Sequence, residues 1–292
     1  MSEQIPPRDT DDWSYNQILS INIANRASAF ISLLGSGCII YAILHPSKRD
    51  VKLKLMYHRL MLGLSVHDFL SSFWSFVGSW AMPEDNLHSN EMIGNYGTWD
   101  TCMAQGFFTS YGYISCTLFN AVLSLYFLLF VKYSWREAQF RKIEPYCLLC
   151  AMGIPATFSI SLSFTDSYNP TIKFCWIQSY PINCEKYDEF ECVRGEKGTL
   201  YQALFAICPI ILSFFVILIC MTSLYLHVRK IEMSTEKYRF NVASSVSPIS
   251  TSISRRMTNK KTKQVLKVAC WYVGVFMWIW APTIVSSNLF YK

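Results

Sequence analysis

Five polar side chains recur at steps of three or four residues along one apolar segment of this 292-residue chain: Gln105, Thr109, Tyr113, Cys116 and Asn120. At that spacing they share one face of a helix that is otherwise apolar. Because a bilayer core offers no water, such a face must point toward other helices. The first three residues are therefore candidates for a ligand pocket. The last two are candidates for contacts between helices.

Four of the eleven cysteines lie outside the apolar segments or at their edge, where a disulfide could form: Cys102, Cys175, Cys184 and Cys192. An even number of cysteines in an oxidising compartment is typical of disulfides, and four cysteines allow three pairings. We favour Cys102–Cys175, which ties a loop to a helix, together with Cys184–Cys192, which closes a short hairpin. A zinc site is the alternative, but these four cysteines form no CxxC pair and have no neighbouring histidine.

Asp68, which follows His67, is the only acidic side chain deep in an apolar segment. A charge at that depth is costly, so a functional partner is the default expectation. Two interpretations stand side by side: a functional role with such a partner, or a carboxyl group hydrogen-bonded to Ser36 and Asn120. For His67 we expect packing or hydrogen bonding rather than metal ligation.

Near the C-terminal end, Trp280 precedes Pro282, and Phe276 lies one turn before the tryptophan. Proline removes an amide donor and bends a helix, and a ligand could bias such a bend. Aromatic packing around a structural kink would explain the same residues. The chain has no HExxH, GxSxG or Walker motif, and its five histidines are scattered. We therefore expect no catalytic residue, no metal, no cofactor and no enzymatic activity.

Membrane helices are the elements that must position these residues. The chain is 52% hydrophobic and only 16% charged, against about 25% charged in soluble domains. The predicted fold class is an all-α membrane protein with six transmembrane helices and the lipid bilayer as a partner. The six apolar segments lie at about 27–45, 57–80, 101–131, 145–165, 199–227 and 264–287.

The distribution of charge predicts the orientation of the chain. Basic residues cluster after the first, third and fifth segments, whereas residues 82–100 carry acidic residues and no lysine or arginine. Positive loops stay cytoplasmic, so we expect an extracellular N-terminal tail at residues 1–26. Residues 231–262 form a basic segment rich in Ser and Thr, which we expect to be a disordered cytoplasmic loop. The net charge of +6 comes from these loops and does not indicate nucleic-acid binding.

Several short motifs follow one another in the order found in G-protein-coupled receptors. Residues 35–39 (GSGCI) resemble the rhodopsin-like GNxxV, and residues 64–68 (LSVHD) resemble LAxxD. Pro209 matches the proline of the fifth helix. Phe276, Trp280 and Pro282 match FxxxWxP in the sixth.

Other motifs resemble the slime-mould cAMP-receptor-like receptors and the related secretin and adhesion receptors. Residues 102–107 (CMAQGF) match the CxxQGF opening of the third helix, and residues 153–155 (GIP) match part of WGIP. Residues 175–177 (CWI) are similar to a loop signature that both groups share. No DRY triplet follows the third segment near Lys132, which favours the cAMP-receptor-like group over the rhodopsin-like receptors.

This resemblance covers residues 27–288 and implies a heptahelical bundle. The chain ends at Lys292, just after the sixth segment, so we expect truncation before the seventh helix. The implied function is a cell-surface receptor of the plasma membrane. It would bind an extracellular small molecule or short peptide and signal to a heterotrimeric G protein. The alternatives are a truncated, non-signalling receptor and a six-span channel or transporter.

The resemblance also adds residues to the candidate sites. The expected ligand-binding residues become Gln105, Thr109, Tyr113, Trp176 and Trp280. The expected switch or structural residues are Asp68, Ser36, Asn120, Phe276 and Pro282.

Overall fold

The computed structural model describes residues 14–47, 49–86, 94–182, 184–186 and 191–242, together with Gly274. Most of these residues are helical. The first half contains α1 (Tyr15–Leu44), α2 (Arg49–Lys52), α3 (Met56–Val77), a 3-10 turn (Gly78–Ala81) and α4 (Trp99–Lys132).

The second half contains two interrupted helices with a small sheet between them. Its helices and turns are α5 (Glu137–Leu148), a π turn (Leu149–Gly153), α6 (Ile154–Ser163), a 3-10 turn (Cys184–Lys186), α7 (Gly198–Gln202), a second π turn (Ala203–Ile207) and α8 (Cys208–Val242). The two strands are β1 (Tyr168–Pro170) and β2 (Cys175–Ile177).

Five helical stretches of the described chain are long and apolar enough to cross a membrane: Tyr15–Leu44, Met56–Ala81, Trp99–Lys132, Glu137–Ser163 and Gly198–Ile231. They overlap the first five predicted spans and indicate a multi-pass membrane protein. The sixth predicted span, at about 264–287, falls outside the described residues apart from Gly274.

Two helices extend beyond the predicted boundaries. Helix α1 begins at Tyr15, so the described end of the predicted extracellular tail is helical. Polar residues in this first part of α1 hid the helix from a hydrophobicity window. Helix α8 continues to Val242, so the prediction of disorder from residue 231 is wrong for residues 231–242. That stretch contains neither glycine nor proline, and the helix of the preceding span propagates into it.

Each π turn ends two residues before a proline. Pro155 follows Leu149–Gly153, and Pro209 follows Ala203–Ile207. A proline ring clashes with the carbonyl four residues earlier and cannot donate to it. A π turn widens the helix at that point, so both helices continue past their proline.

The chain divides into two compact units. Unit 1 comprises Met1–Val122 and Phe140–Ser213, and unit 2 comprises Leu123–Gln139 and Phe214–Lys292. In unit 1, the buried residues of α1 recur every seven positions, which marks a narrow seam for packing. These residues are Asn22, Ala29, Ser36 and Ile43.

Unit 2 includes the C-terminal end of α4, where the chain turns sharply. Ser134 has a positive φ of 53°, and the amide of Trp135 donates to the carbonyl of Leu129 at 3.2 Å. The buried apolar residues of this unit lie on α4 and α8 and include Leu123, Tyr126, Phe127, Ile217, Leu224 and Val228.

Candidate functional site

The candidate site is built around the hairpin of β1 and β2 in unit 1. The strands are antiparallel, with Tyr168 opposite Ile177 and Pro170 opposite Cys175. Thr171 and Phe174 close the turn, where the amide of Thr171 donates to the carbonyl of Phe174 at 3.3 Å. Pro170 is compatible with β1 because a two-stranded sheet has free edges, where no amide donor is required.

A disulfide ties the hairpin to the first turns of α4. Cys102 and Cys175 are bonded, with their Cα atoms 5.3 Å apart, and both residues are fully buried. Cys184 and Cys192 form the second disulfide, also with a Cα separation of 5.3 Å. Both predicted pairings are therefore confirmed.

Gln105 joins three elements next to this disulfide. Its Nε2 donates to the carbonyl oxygens of Trp74 at 2.9 Å and Gly78 at 2.8 Å. Its Oε1 accepts the amide of Cys175 at 2.8 Å. Both donors of the amide are used, and the residue is fully buried. These contacts make Gln105 a positioning residue for the hairpin, and its role in ligand binding stays a prediction.

Tyr168 anchors the other strand against α4. Its hydroxyl donates to the carbonyl of Ser159 at 3.1 Å and lies 2.9 Å from the hydroxyl of Ser110. Gly106 makes this approach possible, because a Cβ there would lie 2.6 Å from the Tyr168 ring. Burial disfavours the phenolate and raises the pKa of Tyr168 to about 12, although the hydrogen bonds to Ser110 and Ser159 oppose the shift.

Sequence reasoning missed Tyr168, Ser110 and Ser159. The one available signal was the Gln105-Gly106 pair, since a glycine beside a buried polar residue indicates that another segment approaches closely.

Two predicted ligand-binding residues meet beneath the hairpin. The rings of Tyr113 and Trp176 are 5.9 Å apart in an edge-to-face arrangement, a favoured geometry for aromatic pairs. The hydroxyl of Tyr113 lies 3.0 Å from that of Ser75 on α3. Thr109, one turn before Tyr113, is fully buried, and its hydroxyl has no hydrogen-bond partner among the described residues. The hairpin therefore contacts the polar face of α4 at Gln105 and at Tyr113.

Asp68 and His67 connect α3 to different neighbours. The Asp68 carboxylate accepts a hydrogen bond from the hydroxyl of Ser32 on α1 at 2.8 Å. Ser36 is buried, and its hydroxyl donates within α1 to the carbonyl oxygen of Ser32 at 2.8 Å. Asn120 is also buried, on α4. The switch roles predicted for Asp68, Ser36 and Asn120 stay predictions.

His67 is buried with a partner for each ring nitrogen. Its Nδ1 lies 2.7 Å from the carbonyl oxygen of Gly63, and its Nε2 lies 3.0 Å from the hydroxyl of Tyr111. The carbonyl requires a proton on Nδ1, so the neutral ring accepts at Nε2. This is the hydrogen-bonding role expected for His67.

No family model and no curated protein matches this chain. The resemblance to G-protein-coupled receptors therefore stays a prediction.

Three predicted residues of the last segment, Phe276, Trp280 and Pro282, lie outside the described residues. Within the described ranges, no group of three or more His, Cys, Asp or Glu side chains is placed to hold a metal ion. The site is thus a hairpin that contacts a polar helix face, next to a buried hydroxyl, that of Thr109, which has no partner among the described residues.

Proposed function

We propose that this chain is a cell-surface G-protein-coupled receptor of the cAMP-receptor-like group. The observation that carries the proposal is the contact between Trp176 on the hairpin and Tyr113 on α4, one turn from the unpaired hydroxyl of Thr109. A hairpin held by a disulfide over a polar helix face provides a covered site with aromatic walls. Ligand sites of small molecules commonly combine such walls with a few polar groups.

The hairpin supports the proposed orientation. Disulfides persist in oxidising compartments, so the end of unit 1 that carries two of them faces outward in this proposal. The side-chain amide of Asn22 on α1 donates to the carbonyl of Ile172 in the hairpin turn at 3.3 Å. The N-terminal part of α1 therefore lies at the same end. The basic loops of the sequence then face the cytoplasm and the G protein.

The proposed ligand is a small molecule or a short peptide. Tyr113 and Trp176 would contact its apolar part, and the hydroxyl of Thr109 would bind a polar group, since a buried hydroxyl without a partner is rare. Gln105 would hold the hairpin in place. Trp280 would complete the site, and Asp68, Ser36, Asn120, Phe276 and Pro282 would transmit the change to the cytoplasmic side.

Nucleotide exchange on a heterotrimeric G protein tests the proposal. Membranes that carry the chain would be screened with small polar molecules and short peptides. We expect an active compound to accelerate exchange. We expect Trp176→Ala to weaken its potency about tenfold, the scale of an aromatic contact with its buried area. Phe164→Ala is the matched control, because Phe164 follows α6 and is 86% exposed.

The absence of exchange above that of membranes without the chain, across a panel of G proteins, would contradict the receptor function. A conductance in the same membranes would favour the six-span channel. An equal loss of potency in Trp176→Ala and Phe164→Ala would show that the hairpin does not contact the ligand.

A further inference from the structure

Arg26 is a half-buried cation near the N-terminal end of α1 whose partners among the described residues are all neutral. Its Nη2 donates to the hydroxyl of Ser79 at 3.0 Å and approaches the carbonyl of Val77 at 3.5 Å. Its guanidinium lies 4.0 Å from the centre of the Trp80 ring. No carboxylate in the described part of the chain pairs with it.

Arg194, in the same unit, is an arginine that does have a carboxylate partner. It also stacks on a tryptophan, with its guanidinium 4.8 Å from the Trp99 ring. In addition it pairs with the Asp166 carboxylate at 2.9 Å and donates to the side-chain oxygen of Asn169 at 3.2 Å. An arginine without a carboxylate partner can bind an external anion, and the described residues supply no carboxylate to Arg26.

The polar atoms around Arg26 are left open as well. Its Nε is buried without a partner and faces Gly78, where an added Cβ would lie 3.1 Å away. No hydrogen bond of the described residues involves its Nη1. Among the described residues, the guanidinium of Arg26 therefore keeps N–H groups that no protein acceptor uses.

Exposed aromatic rings continue from Arg26 toward the middle of α1 and α3. The rings of Phe30 and Phe76 are 5.9 Å apart, and those of Phe76 and Trp80 are 6.4 Å apart. Phe30 is 50% exposed and Trp80 is 46% exposed. Tryptophan is typical of the membrane interface, so Trp80 places Arg26 at the depth of the lipid head groups.

We propose that Arg26 binds the phosphate of a bilayer phospholipid in the leaflet that surrounds the N-terminal end of α1. The guanidinium would donate to the phosphate oxygens, for which its planar fork is suited. One acyl chain would lie along Phe30, Phe76 and Trp80. The positive charge of Arg26 favours an anionic group such as phosphate. The adjacent aromatic rings favour a phosphate that carries acyl chains over free phosphate. This site is independent of the proposed receptor function.

Lipid titration of the purified full chain, followed by native mass spectrometry, tests the site. The probes are dioleoylphosphatidylglycerol, dioleoylglycerol (which lacks the phosphate) and inorganic phosphate. We expect Arg26→Gln to weaken phosphatidylglycerol binding about tenfold, the scale of one hydrogen bond between charged groups. Arg194→Gln, the matched control, should stay within about twofold of the wild type because its cation already has Asp166. Dioleoylglycerol binding should not respond to Arg26→Gln.

Equal binding by the wild type and Arg26→Gln would overturn the proposal, as would equal losses in the two arginine variants. Full displacement of the lipid by inorganic phosphate would overturn the lipid as the source of the phosphate.

A phosphatidylglycerol with a photoreactive acyl chain tests the unmodified protein, so it does not depend on the folding of a variant. We expect cross-links on the peptides that contain Phe30 or Phe76. Cross-links spread evenly over all membrane helices would overturn the site.

Discussion

Two regions of unit 1 place an arginine over a tryptophan, but only one of them, among the described residues, also pairs the arginine with a carboxylate. Beside the hairpin, Arg194 lies over Trp99 and also has Asp166 as a counter-ion. Between α1 and the 3-10 turn that follows α3, Arg26 lies over Trp80 and has only neutral partners among the described residues. The hairpin region also has a disulfide and a buried amide network, and its arginine is paired within the described residues. The face between α1 and the end of α3 leaves the charge of its arginine without a carboxylate among those residues, as a surface that binds an anion would.

The largest expected difference comes from the disulfide of the hairpin. Cys102 and Cys175 are 73 residues apart, so their bond restricts a long loop of the unfolded chain. Cys175→Ser should cost about 4 kcal/mol of stability. Thermal melting in detergent measures the loss, and Cys38→Ser, which removes an exposed free thiol of α1, is the control. Equal melting temperatures for the two variants would contradict the importance of the hairpin bond.

Gln105→Leu should have the next largest effect. It removes three hydrogen bonds between α4, α3 and the hairpin. At roughly 1 kcal/mol each, the loss is about 3 kcal/mol. Thr109→Val, one turn away, is the control, because it removes a hydroxyl that has no partner and should be neutral or stabilising. A destabilisation by Thr109→Val as large as that by Gln105→Leu would show that the hydroxyl has a partner in the folded protein.

One glycine in each region, Gly106 beside the hairpin and Gly35 on α1, tests how closely another segment approaches it. Gly106→Ala would place a Cβ 2.6 Å from the Tyr168 ring, which is closer than any real contact. We expect a loss of about 2 kcal/mol, because the ring or α4 must shift. At Gly35 on α1 no atom lies within 4 Å of an added Cβ. Gly35→Ala should therefore be stabilising by about 0.5–1 kcal/mol through helix propensity. The reverse order of melting temperatures would contradict the close approach of Tyr168.

The sequence predicted the helices and the disulfides but not the hydrogen-bonding partners. Long apolar runs, and the positions of cysteines between them, can be read from the chain alone. The partners of Gln105 are backbone groups of Trp74, Gly78 and Cys175, and backbone groups leave no trace in residue types. The polar face of α4 was therefore predicted, whereas the division of its members into positioning and unpaired residues required the fold.

Short and mixed segments escaped prediction for a different reason. The strands have only three residues each, too few for an alternating pattern. The start of α1 mixes polar residues such as Asn22 and Arg26 with apolar ones, which lowers the average hydropathy. Those same polar residues face α3 and the hairpin turn in the fold, where they make the contacts that hold this part of α1.

The smallest expected effect is the stabilisation by bound lipid, and it distinguishes Arg26 from Arg194 most directly. A lipid that binds only the folded protein at five times its dissociation constant stabilises it by about 1 kcal/mol. Phosphatidylglycerol should therefore raise the melting temperature of the wild type and of Arg194→Gln, but not that of Arg26→Gln. Dioleoylglycerol should leave all three unchanged relative to one another. If Arg194→Gln loses the lipid effect and Arg26→Gln keeps it, the lipid binds at Arg194 despite its pairing with Asp166. The distinction between the two regions then fails.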